Sequence, residues 1–304
     1  ADYSLDIDCT KYLVRTGAGQ GMSPLNYVEK WEVCNQLGGG NASRIAGHPK
    51  NALLRLVPWG GLAACVSTGE ASKEGALSSA SAVRSGLAYC FLPLPIQTGL
   101  PVMVNAFFEL SSNRRDIWQA GVDMTGDGQT RAEWNLSLMR DLIAPSYVRL
   151  LLRLKQTLGF SDTYQSLWPS SKVAAPWDNV VNNLYERSKD QKLLRICADE
   201  QEMDDFFAGM HSSEATSSNG RGKVVNEQNW IEPQNAILLP ERSRYGLETT
   251  EGGIMSLSQF LVRAEKPLVL CQDELLKSLC KTNTCTNVSS PALVRKVLSE
   301  DSVA

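Results

Sequence analysis

The sequence is poor in the residues that most often carry catalysis. Among 304 residues there are two histidines, His48 and His211, and none of the eight cysteines forms a Cys-x-x-Cys pair. The chain has no Walker-type phosphate loop, no His-Glu-x-x-His helix and no Gly-x-Ser-x-Gly elbow. We therefore predict that the chain binds no metal, holds no complete active site and is not an enzyme by itself.

Excess positive charge and long apolar runs are also missing. The net charge of −3 and the pI near 5.6 argue against a general nucleic-acid binder, which would be basic. No apolar run is long enough to cross a bilayer. Several cysteines lie in apolar runs, as buried reduced thiols do, and this favours the cytosol. We predict a cytoplasmic protein that contacts neither nucleic acid nor a membrane.

The length and the pattern of the chain indicate two domains of the α/β (α+β) class. Residues 1–165 are predicted to form a mixed-sheet domain that ends in a long helix from about residue 131 to 158. Pro145 should kink that helix or split it in two. Residues 166–304 alternate between strand and helix patterns and are predicted to form a second, smaller α/β module.

Two local patterns allow a further prediction each. Ser23 and Pro24 resemble a helix cap, so a helix is predicted from there to about Leu37. The segment 123–130 resembles the start of a calcium loop, but the closing glutamate is replaced by Trp134. This replacement favours a turn that leads into the long helix.

The stretch from Gly86 to Asn135 carries the strongest signals. Residues 87–92 form a short apolar run that is typical of a buried strand, and several prolines and glycines follow. Residues 102–108 alternate in polarity with the period of a second strand. That strand leads into the polar segment 111–116, which carries adjacent arginines.

Arg114 and Arg115 are candidates for binding an anion. A guanidinium offers a planar fork of donors that matches a phosphate or a carboxylate, and open α/β sheets place ligands at strand ends. The alternative is a surface turn in which these arginines pair with Asp116 or with another acidic side chain. The residues alone leave both interpretations open.

The same stretch closely resembles the repeated module of the sacsin family of giant chaperone-like proteins. The resemblance rests on Phe-Leu-Pro-Leu-Pro-Ile from Phe91, on Phe-Phe-Glu-Leu-Ser-Ser-Asn-Arg-Arg-Asp-Ile-Trp from Phe107, and on Arg-Ala-Glu-Trp-Asn from Arg131. Shorter matches occur at Pro58 and Trp230 and towards the end of the chain, in the order expected for the module. The resemblance therefore covers most of the chain.

The resemblance implies where this segment would lie in a larger protein. A sacsin module begins with an ATP-binding domain of the type found in ninety-kilodalton heat-shock chaperones and DNA gyrase. The Asp-x-Gly-x-Gly turn and Gly-rich lid of that domain are absent here. The resemblance thus implies a segment that follows the ATP-binding domain of the same polypeptide, with ATP held there and no cofactor in this chain.

In the heat-shock chaperones the following domain supplies an arginine to the γ-phosphate of ATP. Carried over to this sequence, that role falls on Arg115, with Arg114 as second choice and Asn113 and Ser112 beside them. The function implied is an ATPase-assisting or non-catalytic segment of a sacsin-like chaperone or co-chaperone, with chaperone or proteolytic-system proteins as partners. The alternative is a structural protein-interaction scaffold with no nucleotide role.

Overall fold

A computed structural model of the chain describes residues 2–13, 23–70, 85–119, 125–199, 201–202, 227–239, 261–262, 265–285 and 287. The chain divides into two compact units. Unit 1 comprises residues 1–150 and 173–180, and unit 2 comprises residues 151–172 and 181–304. These units do not decide where one domain ends and the next begins, so the predicted domain boundary between residues 165 and 166 stays a prediction.

Unit 1 is built on a six-stranded mixed sheet with the order β1-β2-β3-β6-β4-β5. All neighbouring strands are antiparallel except β4 and β6, which are parallel. The Pro- and Gly-rich stretch between residues 92 and 102, whose composition favours a loop, instead begins with the edge strand β5, and only its second part connects to β6. The strands are β1 (Asp2–Leu13), β2 (Ser23–Leu37), β3 (Trp59–Glu70), β4 (Leu87–Cys90), β5 (Leu92–Gln97) and β6 (Met103–Ala106).

The predicted long helix runs from residue 127 to 158 in three parts. They are α2 (Asp127–Leu138), a π-helical turn (Met139–Ile143) and α3 (Ala144–Leu158). The wider turn lies directly before Pro145, the residue expected to disturb the helix because it has no N–H to donate. The predicted split is thus a local widening, and the helix continues through it.

The helix packs closely on the centre of the sheet. A Cβ atom on Gly60 of β3 would lie 3.3 Å from the Ala106 Cβ and 3.5 Å from the Ile143 Cγ1. Leu142 and Leu138 are fully buried, as are the inward side chains of β6. The absence of a side chain at Gly60 therefore lets the π-helical turn approach the sheet, and the Val104 and Ala106 side chains of β6 are fully buried.

The predicted helix from Ser23 to Leu37 is wrong, because these residues form β2. β2 is hydrogen-bonded on both sides, to β1 and to β3. Its aromatic and β-branched residues, among them Tyr27, Val28 and Val33, suit a strand, and pairing on two edges outweighs the capping signal at its start. The short helix α1 (Gly40–Gly47) begins only after β2 has ended and Gly38 and Gly39 have turned the chain.

Unit 2 combines helices with two small sheets. β7 (Leu194–Arg195) pairs antiparallel with β8 (Trp230–Ile231), and β9 (Ile237–Leu239) pairs parallel with β10 (Leu268–Leu270). Buried side chains of this unit come from the helices α4 (Asp162–Ser166) and α6 (Asp273–Lys281) and from α5 (Asp178–Ser188) after its first three residues, which belong to unit 1. The predicted α/β class with a mixed sheet and a long helix is confirmed.

Candidate functional site

The strand β6 leads into a hairpin that carries the two predicted arginines. Leu110 forms an antiparallel bridge with Ile117, and we call residues 110–117 the arginine hairpin. Inside it the Ser111 N–H donates to the Asp116 carbonyl at 2.8 Å. Ile117 is buried, so the hairpin is anchored to the body of unit 1 on its returning side.

Polar groups of the hairpin hold its tip in one shape. The Arg114 N–H donates to the Ser111 carbonyl at 2.9 Å. The Asn113 side-chain oxygen accepts from the Ser111 hydroxyl at 2.8 Å and from the Arg115 N–H at 3.0 Å. Arg114 has a φ of 55°, in the left-handed region that glycine prefers. The predicted binding residue Asn113 therefore uses its carboxamide oxygen to order the tip.

The base of the hairpin is fixed by Asn135 of α2. Its side-chain oxygen accepts from the Glu109 N–H at 2.9 Å, and its amide donates to the carbonyls of Glu109 and Trp118 at 2.8 and 2.9 Å. Asn135 is only 1% exposed. A buried amide with three hydrogen bonds to both arms of a hairpin determines their positions strongly.

Two more residues of α2 hold the strand that enters the hairpin. The Trp134 indole N–H donates to the Phe107 carbonyl at 2.8 Å, and Arg131 forms an ion pair with Glu109. Arg131, Trp134 and Asn135 lie three and four positions apart, so they share one face of the helix. Sequence reasoning quoted this motif only as a family signature. Its helical spacing is the signal that could have revealed the hairpin's support.

The guanidinium groups of Arg114 and Arg115 point into solvent. Both residues are exposed, as are Ser112 and Asp116. Within the described ranges neither guanidinium has a hydrogen-bond or ion-pair partner, and Asp116 pairs with neither of them. The structure thus places all four predicted site residues on one ordered tip, and leaves two permanent positive charges there without a described counter-charge.

A second positive site of unit 1 is already occupied. The Asp141 carboxylate accepts from the N–H groups of Asn41 and Ala42 at 2.7 and 3.2 Å, at the start of α1, and from the Arg140 Nε at 2.8 Å. Burial raises the pKa of this carboxyl, but Arg140 and the two N–H groups outweigh it and hold the pKa below its usual value. A Cβ on Gly40 would lie 2.6 Å from the Asp141 Cγ, so a side chain at position 40 would collide with the carboxylate.

An apolar surface lies at the same end of β3 and β6. Trp59 and Phe91 stack with ring centroids 5.5 Å apart, and Phe107 meets Phe91 edge-on at 5.8 Å. Leu37 pairs with Trp59 in the β2–β3 ladder, and Leu92 follows Phe91. Phe91, Leu92 and Leu37 are 61%, 64% and 74% exposed. We call these five residues the aromatic surface, which sequence reasoning did not anticipate.

A small cavity of about 180 Å³ lies behind the returning arm of the hairpin in unit 1. It is lined mainly by apolar side chains, and its wall includes the Ala175–Pro176 segment. No histidine, cysteine or charged residue lines it. Elsewhere in the described ranges, no cluster of three His, Cys, Asp or Glu side chains could hold a metal ion.

The fold and this site define a mixed α/β protein whose ordered, exposed feature is a cationic hairpin supported by a helix. The chain is 40% identical over 131 residues to human sacsin, which confirms the predicted resemblance to the sacsin family. The aligned part covers 41% of this chain but 2% of human sacsin. No family model and no solved structure matches the chain.

The similarity establishes a sacsin-like segment. In the part of the chain that the structure describes, no helix is long and apolar enough to span a membrane. The position of the segment relative to an ATP-binding domain and its compartment remain predictions.

Proposed function

We propose that this chain is a non-catalytic segment of a sacsin-like chaperone or co-chaperone that assists an ATP-binding domain of the same polypeptide. The arginine hairpin would contact the nucleotide held there, with Arg115 as the first phosphate contact and Arg114 as the second. The segment would pass the nucleotide state on to chaperone or proteolytic-system proteins in the cytoplasm. It would bind no cofactor of its own.

The observation that carries this proposal is the combination of an ordered backbone with unpaired charge. Asn135 and Trp134 hold the base of the hairpin, and Asn113 orders its tip. The guanidiniums of Arg114 and Arg115 stay exposed at the end of this support. An arginine assists phosphoryl transfer by neutralising charge that develops on the phosphate oxygens, and it must be held in position to do so.

The proposal is tested in the full module, in which the ATP-binding domain is joined to this chain. We expect Arg115→Ala to lower kcat for ATP hydrolysis by roughly 10³-fold, the lower end of what such arginines contribute. Arg115→Lys should recover only part of it, because an ammonium lacks the planar fork. Arg187→Ala, an exposed arginine of α5, serves as the control.

Two results would contradict the proposal. Unchanged hydrolysis in the Arg114→Ala/Arg115→Ala module would remove the phosphate role. Measurable ATP turnover by the 304-residue chain alone would show that the division of labour is wrong.

The alternative function is a protein-interaction scaffold without a nucleotide role. The exposure of the aromatic surface favours it, because an apolar patch of this kind is typical of a protein-binding site. A pull-down of the full module with and without ATP separates the two functions. If the amount of bound partner changes neither with ATP nor with the arginine substitutions, the scaffold is favoured.

A further inference from the structure

Three residues of unit 1 hold a backbone conformation that glycine would adopt more easily. Arg55, Phe91 and Arg114 have φ values of 49°, 59° and 55°. Such a backbone costs free energy for a residue with a large side chain and persists where surrounding structure enforces it. At Phe91 the enforcing contact is the N–H, which donates to the Asn105 side-chain oxygen at 3.0 Å. Three large, exposed side chains therefore lie at positions where the backbone conformation favours glycine.

Phe91 is the centre of the aromatic surface. Its ring stacks on Trp59 with an interplanar angle of 8° and meets Phe107 at 82°, so it is held from two sides. It is nevertheless 61% exposed. An aromatic side chain that is held by two neighbouring rings and is still exposed loses little conformational entropy when a partner covers it, and this is typical of binding hot spots.

The arginine hairpin borders this surface. The Cys90 thiol, one residue before Phe91, donates to the Phe108 carbonyl at 3.5 Å, so β4 ends against the strand that enters the hairpin. Burial raises the pKa of the Cys90 thiol, and the nearby positive charge of Arg114 offsets part of this rise. The Arg114 guanidinium therefore lies within electrostatic reach of the chain segment that carries Phe91.

The chain segments that carry Trp59, Phe91 and Phe107 contain more basic than acidic residues. Residues 48–59 and 85–118 contain Lys50 and Arg55, in addition to the two arginines of the hairpin, and two carboxylates. Of those carboxylates, Glu109 is engaged by Arg131. The chain as a whole has a net charge of −3. These segments, in which Asp116 is exposed beside the arginines, have the opposite sign from the average of the molecule, and the two guanidiniums of the hairpin complement an acidic partner.

We propose that the aromatic surface and the arginine hairpin together form a docking surface for an acidic protein segment that carries apolar side chains. The apolar side chains of the partner would cover Phe91 and Leu92. Its carboxylates would pair with the guanidiniums of Arg114 and Arg115, which accept them in a planar, two-pronged geometry.

A peptide fits this surface better than single-stranded nucleic acid does. Nucleic-acid binders offer open ring faces to successive bases. Here Trp59 and Phe91 stack on each other, and the exposed neighbours Leu37 and Leu92 are aliphatic. Aliphatic side chains match apolar side chains of a partner and give a base nothing to stack on. The proposal goes beyond the nucleotide role, since it needs neither ATP nor a neighbouring domain.

The test is a fluorescence-anisotropy titration of the 304-residue chain, without nucleotide, with a labelled peptide of about 12 residues that alternates Glu with Leu and Phe. We expect Phe91→Gly to raise Kd at least about 10-fold, as loss of a hot-spot aromatic does. Arg114→Gly should raise Kd several-fold and reduce its salt dependence. Both substitutions relieve the left-handed backbone, but Phe91→Gly also loses the ring contacts to Trp59 and Phe107, so thermal unfolding of each variant confirms that it is folded at the assay temperature.

The control variant is Glu265→Gly. Glu265 belongs to unit 2 and has a φ of 51°, so this substitution makes the same backbone change in a residue outside unit 1. It should leave Kd unchanged. A second peptide, in which every Glu is replaced by Gln, should bind more weakly to the parent chain.

Three outcomes would overturn the proposal. They are an unchanged Kd for folded Phe91→Gly, equal binding of the Glu and Gln peptides, and displacement of the peptide by a single-stranded oligonucleotide that binds more tightly. Because the assay contains no ATP, these outcomes do not depend on whether Arg115 meets a phosphate in the full module.

Discussion

Unit 1 contains two positive sites, and they differ in what neutralises them. At the start of α1, the N–H groups of Asn41 and Ala42 and the side chain of Arg140 all donate to Asp141. At the arginine hairpin, the equivalent positive groups have no described carboxylate. Both sites are built from polar segments beside the same long helix. One of them carries its own anion, and the other presents its charge to solvent.

The difference separates a structural use of positive charge from a candidate binding use. Asp141 is buried, and a Cβ atom on Gly39 or Gly40 would lie 2.9 or 2.6 Å from an atom of Asp141, so the backbone packs closely around this residue. The hairpin has the reverse arrangement: its buried contacts lie at the base, through Asn135, and its charge lies at the tip. A site of the first kind stabilises the fold, whereas a site of the second kind contributes little until a partner arrives.

The largest predicted effect comes from removing the base of the hairpin. Asn135→Ala leaves the Glu109 N–H and the carbonyls of Glu109 and Trp118 without partners in a buried place. We expect the free energy of unfolding to fall by about 3 kcal/mol, because each buried group left unpaired costs about 1–3 kcal/mol and part of the loss is recovered by water. Urea unfolding, followed by tryptophan fluorescence and circular dichroism, measures it.

Gln119→Ala is the matched control for Asn135→Ala, since Gln119 is an exposed amide just beyond the hairpin. Its effect should stay within about 0.5 kcal/mol. If Asn135→Ala were equally mild, the hairpin would be held by other contacts and the contrast between base and tip would disappear.

Part of this architecture could be predicted from the sequence because it is local. The strands around residues 87–92 and 102–108 and the long helix show a clear hydrophobic periodicity and are bounded by turn-forming residues. The structure contains all three. β2 could not be predicted, because its strand form depends on pairing with β1 and β3, which lie apart in sequence. The helix also begins at Asp127, four residues before the predicted start at about residue 131.

The candidate site shows the same limit. Arg114 and Arg115 are recognisable from residue type and position at a strand end. Whether they pair with Asp116 depends on the turn geometry. The residue type of Arg114 does not predict its left-handed φ. The aromatic surface depends on register, since Phe91 and Trp59 are 32 positions apart (91 − 59) and meet only through the sheet. Non-local contacts of this kind are beyond single-sequence reasoning.

An intermediate effect is expected from removing the resident anion. Asp141→Asn weakens the charge-assisted hydrogen bonds to Asn41, Ala42 and Arg140, so the free energy of unfolding at pH 7 should fall by about 1–2 kcal/mol. The folded-state pKa of Asp141 is depressed, so its contribution is full above the unfolded pKa of about 3.9 and is lost as the pH falls through the lower folded value. Urea titrations of both proteins between pH 7 and pH 3 measure this.

The difference between wild type and Asp141→Asn should therefore shrink towards acid pH. Asp162→Asn is the control, because Asp162 is an exposed carboxylate in the first turn of α4. A difference for Asp141→Asn that stayed constant from pH 7 to pH 3 would show that the carboxylate charge is not what holds the start of α1.

The smallest effect on stability is expected at the tip of the hairpin. Arg114→Ala/Arg115→Ala removes two exposed charges that have no partner in the described structure, so the free energy of unfolding should change by less than about 0.5 kcal/mol. Arg140→Ala is the informative comparison, because it removes an arginine that is paired with Asp141 and should cost more. Thermal and urea unfolding of both variants measure the two effects side by side. A double-alanine variant that lost as much stability as Arg140→Ala would mean that the hairpin arginines are also neutralised within the chain, and they would then no longer be free to bind a phosphate or an acidic partner.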